Sequence, residues 1–348
     1  MPLAQGYAKD QPAGFSNRIE RVAIVGAAGY IGRHITSHLL QTTKHTVTAI
    51  TRPNSPNHNK FPPSVHIARV DYTSTAPNDF NNLVTALRGQ QALIITINMR
   101  VPPDVISNLI RAAAMADVHY VLPNWYSVDV ANEKLLDESL FRQTRDRFRG
   151  EIEELGVSAG LWLVCNYWYE FSLAGFEERF GFDMQKREVV LFGEGEVRIN
   201  TTTWEQCGRA VAGLLSLKEL KEDEGDEGVT LERFRGRGVY VSSFRVSQRE
   251  MFESVMRVTG TGEGDWKVTK VGVEGRWEGA KKEVLEGGDL MKFVRMIYSR
   301  IFFEGGDGDY EGSRGLDNEV LGLPVEDLDE ATKVAVKMGL DGMVKEYL

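Results

Sequence analysis

Three glycines, at positions 26, 29 and 32 of RVAIVGAAGYIGR (21–33), carry the plainest chemistry in this sequence. Set between an apolar run and a helix start, they let backbone amides approach an anion with no side chain in the way. Gly26 turns the chain off the strand, Gly29 opens the backbone to a pyrophosphate, and Gly32 lets the helix pack closely on the sheet. Tyr30 and Ile31 lie inside the same turn and are read as cofactor contacts with it. The flanks agree, because VAIV is a continuous apolar run and HITSHLL has helical spacing. These residues imply a dinucleotide site.

The next strand, HTVTAITR (45–52), ends in Thr51 and Arg52. A carboxylate there would repel a 2′-phosphate, whereas a guanidinium holds one through a charge-assisted, often bidentate contact. NADP(H) is therefore the expected cofactor. Arg33 is a candidate second cation, and His58 and Lys60 lie in the loop after Arg52, within reach of the same site, although such residues are more often solvated. Asp71 and Tyr72 end the third strand where an adenine edge rests, although Asp71 reads equally as a loop cap. Thr96 and Asn98 end the fourth strand and Pro123 and Asn124 the fifth, so they are expected on the nicotinamide side of the crevice.

The elements that must position these residues form a repeat. VHIARVDY (65–72), QALIITIN (91–98), HYVLPN (119–124) and SAGLWLVCN (158–166) read as strands three to six. Helical spacing fills 78–89, 102–118 and 138–156, the last closed by Gly156. This alternation predicts an α/β fold with a parallel, doubly wound sheet over 20–166. Beyond Asn166 the rhythm changes. A β-hairpin is predicted at GEGE (193–196), 221–228 reads as a solvated loop, and 235–260 as another strand and helix. A smaller α+β domain for substrate is expected over 167–348, in part interleaved with the first, and residues 1–19 read as a flexible tail. DLMKFVRMIYSRIFF (289–303) suits either an apolar lid or a core helix.

With 348 residues and 42% hydrophobic content, a sizeable core is expected. No apolar run approaches the ~20 residues of a membrane span, and the first twenty residues lack the apolar core of a signal peptide. Cys165 and Cys207 sit in apolar stretches, which argues against a disulfide framework and for an intracellular, cytoplasmic location. Residues 1–150 hold 16 Lys and Arg against 11 Asp and Glu (+5), and the remainder 25 against 39 (−14). A basic first half suits an anionic dinucleotide, and the acidic second half offers no footprint for nucleic acid or an anionic membrane. His34 and His38 share one helix face without a third ligand, so they are expected at the surface and no metal is expected.

GAAGYIG, TR at 51–52, VDY at 70–72, LPN at 122–124, NYWYEFSL after the sixth strand and LGLPVEDLDEATKVAV (321–336) together resemble the NmrA-like and isoflavone-reductase-like atypical short-chain dehydrogenases, in particular a fungal branch. The resemblance implies a Rossmann-type domain that binds NADP(H), a small substrate domain, and a phenolic or related substrate. It also implies a lysine on the helix after the fifth strand. Arg145 stands there instead, and arginine holds its proton too tightly to be a good general acid. The short-chain Tyr-x-x-x-Lys pair is missing too. Arg145, Tyr126 and Tyr169 remain the catalytic candidates, with Asn166, Tyr167 and Trp168 as substrate contacts. The expected activity is hydride transfer to a small aromatic or enone-like substrate. A non-catalytic redox-sensing NADP(H) binder and a non-redox enzyme on the same scaffold are the alternatives.

Overall fold

The computed structural model describes residues 5–56, 60–74 and 76–343. In the first half, β1 (Arg21–Val25), α1 (Tyr30–Gln41), β2 (Thr46–Thr51), β3 (His66–Arg69), α2 (Pro77–Leu87), β4 (Ala92–Ile95), α3 (Pro103–Met115) and β5 (Tyr120–Leu122) alternate as expected. Then come β6 (Tyr126–Ser127), α4 (Glu133–Glu138), α5 (Arg142–Leu155), β7 (Ala159–Gly160), β8 (Trp162–Val164) and α6 (Tyr169–Leu173). Two expectations change here. The helix expected over 138–156 is α5, which starts only at Arg142 after a separate short helix, α4, and the sixth strand is broken at Leu161. Gly156 does close α5, in the left-handed conformation at φ 65°.

Six strands form one parallel sheet in the order β3-β2-β1-β4-β5-β7. Its central strands, β1 and β4, are apolar and buried on both faces, as a sheet covered by helices requires. Val25 is in register with both Ile50 and Ile95, which levels the carboxyl ends of β1, β2 and β4. The strand order reverses between β1 and β4, and this opens the crevice in which such sheets bind ligands.

The second half contains β9 (Phe182–Asp183), β10 (Glu188–Phe192), β11 (Arg198–Thr201), α7 (Trp204–Leu215), β12 (Gly238–Tyr240), β13 (Phe244–Ser247), α8 (Gln248–Thr259), β14 (Lys267–Val271), α9 (Val273–Leu285), α10 (Leu290–Arg300), α11 (Tyr310–Arg314) and α12 (Leu328–Leu340). Two of these elements return to the first half. β12 pairs in parallel with β8, which in turn pairs with β6. α7 packs along α1 on one face of the main sheet, while α2, α3 and α5 cover the other.

The hairpin expected at GEGE does not form. β10 joins β9 and β14, whereas β11 joins β13. Long-range partners decide this: the Phe192 amide donates to Gln248 Oε1 (2.7 Å) and the Gly193 amide to the Val271 carbonyl (2.8 Å), which draws β10 away from β11. α10 is a core helix, since Val294, Met296, Ile297 and Tyr298 are buried within the main apolar cluster. No described helix is long and apolar enough to cross a membrane.

α1 and α7 approach closely at Gly208, where a Cβ would stand 2.8 Å from the His34 carbonyl. Replacing Gly208 with valine would force the two helices apart. The expected loss is about 1–3 kcal/mol, the usual cost of overpacking, read as a lowered urea midpoint. An unchanged midpoint would mean that the α1–α7 contact yields freely.

Candidate functional site

The three glycines do different work. Gly26 has φ 86°, and a Cβ on it would lie 2.2 Å from the Thr96 carbonyl oxygen. A Cβ on Gly32 would lie 2.2 Å from the Gly26 carbonyl oxygen and 2.8 Å from Thr96 Oγ1. The turn is therefore pressed onto the end of β4 so tightly that only hydrogen fits at either position. Gly29 is exposed and is the N-cap of α1, with no side chain capping the helix. Amides at such an end form an anion site. Tyr30 and Ile31 follow at once, Tyr30 half-buried and Ile31 buried in the core under the turn.

Thr51 is buried at the end of β2, and Arg52 is exposed beyond it. The Arg52 guanidinium acts electrostatically on both Asp71 and Tyr72, so the ends of β2 and β3 form one cluster. Asp71 closes its own loop, accepting from the Thr73 hydroxyl (2.6 Å) and amide (3.0 Å). That hydroxyl first, then the amides of Thr73 and Ser74, hold its carboxyl below the usual range. Arg33 and Lys60 line a cleft of about 550 Å³ together with Ala27 and Ala28 of the glycine turn. His58 lies outside the described residues.

Thr96 and Asn124 shape the crevice from beneath. Both the amide and the hydroxyl of Thr96 donate to the Val25 carbonyl (2.9 Å each). The Asn124 side chain accepts from the Ile97 amide (3.2 Å) and donates to the Ile97 carbonyl (2.9 Å), so it extends the β4–β5 ladder past its last backbone pair. Pro123 is buried beside it. Asn98 is exposed and accepts from the Arg100 amide (2.8 Å), which closes the loop after β4.

The catalytic candidates are placed elsewhere. Arg145 is buried and spent on the Val130 carbonyl (2.8 Å) and the carboxylates of Glu133 (2.8 Å) and Asp146 (2.5 Å). It pins α5 to α4 and is not offered to a substrate. Tyr169 is fully buried, its hydroxyl paired with Thr332 Oγ1 (2.7 Å) against α12. The Tyr126 hydroxyl is buried beside Cys165 and Cys207 on the α7 side of the sheet, and burial raises its pKa well above the phenol range. Both cysteines are free and buried. None of the three candidates faces the crevice as a proton donor.

Among the substrate candidates, Asn166 is held at φ 51° and donates to the carbonyls of Asn200 (2.8 Å) and Gly308 (3.3 Å). Tyr167 is stacked on Tyr298 with ring centroids 4.2 Å apart, in the core. Trp168 alone is half-exposed. Its ring lies 6.1 Å from Phe171 and 6.3 Å from Trp204, and Trp204 stacks on Tyr30 at 5.2 Å. Four rings thus run from the glycine turn to α6.

Two features behind this wall went unread in the sequence. His34 Nδ1 and His38 Nε2 are not free surface groups: they meet the two oxygens of Glu205 at 2.6 and 2.8 Å. Glu170 is buried, and its carboxyl oxygens accept from the Trp204 amide at the start of α7, both at 3.3 Å. Burial pushes its pKa up to about 8. Its sequence signal was only a glutamate among aromatics, and nothing local marks that glutamate as buried.

A comparison of the sequence with protein-family models matches residues 19–189 to the NmrA-like family. The match spans the sheet from β1 into β10. Aligned over 322 residues, the chain is 27% identical to the oxidoreductase aprR of Aspergillus flavus, covering 91% of this chain and 99% of the relative. Among solved structures, AtPrR2 with NADP+ and (+)pinoresinol superposes with a TM-score of 0.70 at 18% identity, over 92% of this chain and 100% of the other. Isoflavone reductase superposes at 0.66 and 20% identity, over 90% and 98%. At these identities the structural likeness establishes the fold, a Rossmann-type α/β architecture.

Glu170 gives this chain a signed pH dependence. A carboxyl raised from 4.5 to about 8 on folding keeps its proton longer in the folded state. Its contribution to stability is complete below its unfolded pKa and is lost as pH rises through about 8. Glu170→Gln should therefore remove part of the stability decline between about pH 5 and pH 9, read as the wild-type minus variant difference in denaturant midpoint. Parallel wild-type and variant profiles would contradict the burial of an ionisable group here.

Proposed function

We propose that this chain is an NADP(H)-dependent reductase that reduces a small aromatic or enone-like molecule. The reading rests on the glycine turn locked against Thr96, a cradle that any Cβ at Gly26 or Gly32 would fill. A pyrophosphate fits there, against the open amides at Gly29 and the start of α1. Arg52, at the end of β2 where a carboxylate would favour a free ribose hydroxyl, would hold the 2′-phosphate, with Thr51 beside it. Arg33 and Lys60 add positive charge along the neighbouring cleft. Asp71 and Tyr72 would border the adenine. Thr96, Asn98, Pro123 and Asn124 set the floor and rim on the nicotinamide side.

When bound, the nicotinamide supplies a hydride. The protein's part is to orient a flat substrate, exclude water and manage one proton. Tyr30, Trp168 and Phe171 are half-buried and offer aromatic edges and faces for stacking, with Trp204 buried among them. Support comes from the relatives' own descriptions: one is named an oxidoreductase, and one structure is described with NADP+ and (+)pinoresinol.

Arg52→Glu tests the cofactor assignment. Loss of a charge-assisted contact should weaken NADPH binding by at least about tenfold in a fluorescence titration while NADH binding changes little. Equal NADPH affinity in variant and wild type would remove Arg52 from the site. NADPH consumption on menadione or chalcone, followed by absorbance, tests the activity itself.

A further inference from the structure

With Arg145 tied to Glu133 and Val130, and with Tyr126 and Tyr169 turned into the core, the reductase reading lacks a proton donor. Glu170 is placed to fill that gap. It stands two residues after Trp168, in the short helix that leaves the carboxyl end of β8. Its carboxyl meets the backbone of Trp204, whose ring stacks on Tyr30 of the glycine turn. The aromatic wall and the carboxyl are therefore one unit, fixed to the start of α1.

The surrounding charges set Glu170 apart. Glu326, on the segment that crosses the start of α7, pairs with Arg209 (2.9 Å) and accepts from Thr203 Oγ1 (2.8 Å) and Ser243 Oγ (2.5 Å). Glu205 is shared by His34 and His38 of α1 and lies 3.9 Å from Arg209, with Arg33 against His34. Cys207 of α7 is also close. Each neighbouring carboxylate has its own cation or imidazole, whereas Glu170 has no ion-pair partner within 4 Å among the described residues. Two carboxylates and no cation at hand favour its neutral, proton-carrying form. The wall also has unmet donors: the indole N–H groups of Trp168 and of Trp204, which is 4% exposed, are buried without partners among the described residues. An oxygen-bearing aromatic ligand would satisfy them.

Building on the reductase reading, we propose that Glu170 is the proton donor of this protein, delivering its carboxyl proton to the oxygen of a carbonyl or enone substrate held against Trp168 and Trp204. A C–H bond forms on the substrate as it accepts the hydride, the carbonyl or conjugated π pair moves onto oxygen, and an O–H bond forms there as the Glu170 O–H bond breaks. The substrate is reduced by two electrons, the dinucleotide is oxidised by two, and solvent returns the proton to Glu170.

The test compares wild type, Glu170→Gln and Glu170→Asp with NADPH and menadione. A donor must be protonated, so wild-type kcat/KM should fall as pH rises past about 8. The glutamine variant should lose about 10²- to 10³-fold in kcat/KM together with that alkaline limb, keep its NADPH Kd, and be rescued in part by aspartate. A glutamine variant within a few-fold of wild type, with the same alkaline limb, would overturn the proposal. The infrared band of a protonated carboxyl gives a second readout. It should be present in wild type at neutral pH, absent from Glu170→Gln, and shifted when menadione binds with NADP+ in place. A band that menadione does not move would overturn the role of Glu170 even if the wild type reduces menadione. A wild type that reduces no probe, with the band shifted, would count against the reductase reading and leave the carboxyl's contact with the ligand standing.

Discussion

The contact between the glycine turn and Thr96 is the constraint from which the rest of the site follows. Two backbone segments that would ordinarily be held apart by side chains meet at Gly26 and Gly32, so α1 starts directly above the end of β4. Thr96 closes the contact from the other side by giving both its amide and its hydroxyl to the last carbonyl of β1. The start of α1 is thereby fixed relative to the crevice, and Tyr30 with it. Trp204 stacks on Tyr30, and Gly208 lets α7 lie close along α1. The position of the aromatic wall therefore descends from the absence of two methyl groups in the turn.

Polar side chains then finish what the strands cannot. Asn124 continues the β4–β5 ladder with its amide where the backbones diverge, which keeps the crevice floor from opening. Thr203 caps α7 by accepting from the Gln206 amide, and Glu326 anchors Thr203 in turn. The buried guanidinium of Arg300 joins Glu138 to Asp307, and Arg145 joins α5 to α4. Buried charges of this kind are costly when unpaired, so removing one partner harms more than the pair itself contributes. Their commitment to packing is the reason Arg145 has no proton chemistry to offer.

The glycine-turn end of the candidate site was legible because its signals are local. Glycine spacing, an apolar run, helical periodicity and the residue at the end of β2 all lie within a few positions of one another. The substrate end was not. Tyr126, Tyr167 and Tyr169 are alike as sequence, each an aromatic near a strand end, yet one hydroxyl is buried beside two thiols, one ring is stacked on Tyr298, and one hydroxyl is bonded to Thr332. Which way each points depends on α7, α10 and α12, elements up to about half the chain away. The GEGE hairpin failed for the same reason: turn chemistry set the bend, but Gln248 and Val271 chose the sheets.

By itself the sequence determined the doubly wound sheet, the glycine turn and the cation in place of a carboxylate after β2, because short-range sterics and strand periodicity act through neighbouring residues. Tertiary structure alone decided which ionisable groups are buried, and so which hold protons. Glu170 on α6 and Glu205 on α7 both lie at the start of α7. Among the described residues, one carboxyl is enclosed without a cation, and the other is met by two imidazoles. Burial and charge pairing are sums over everything that surrounds a group, and those surroundings exist only once distant segments of the chain have been brought together.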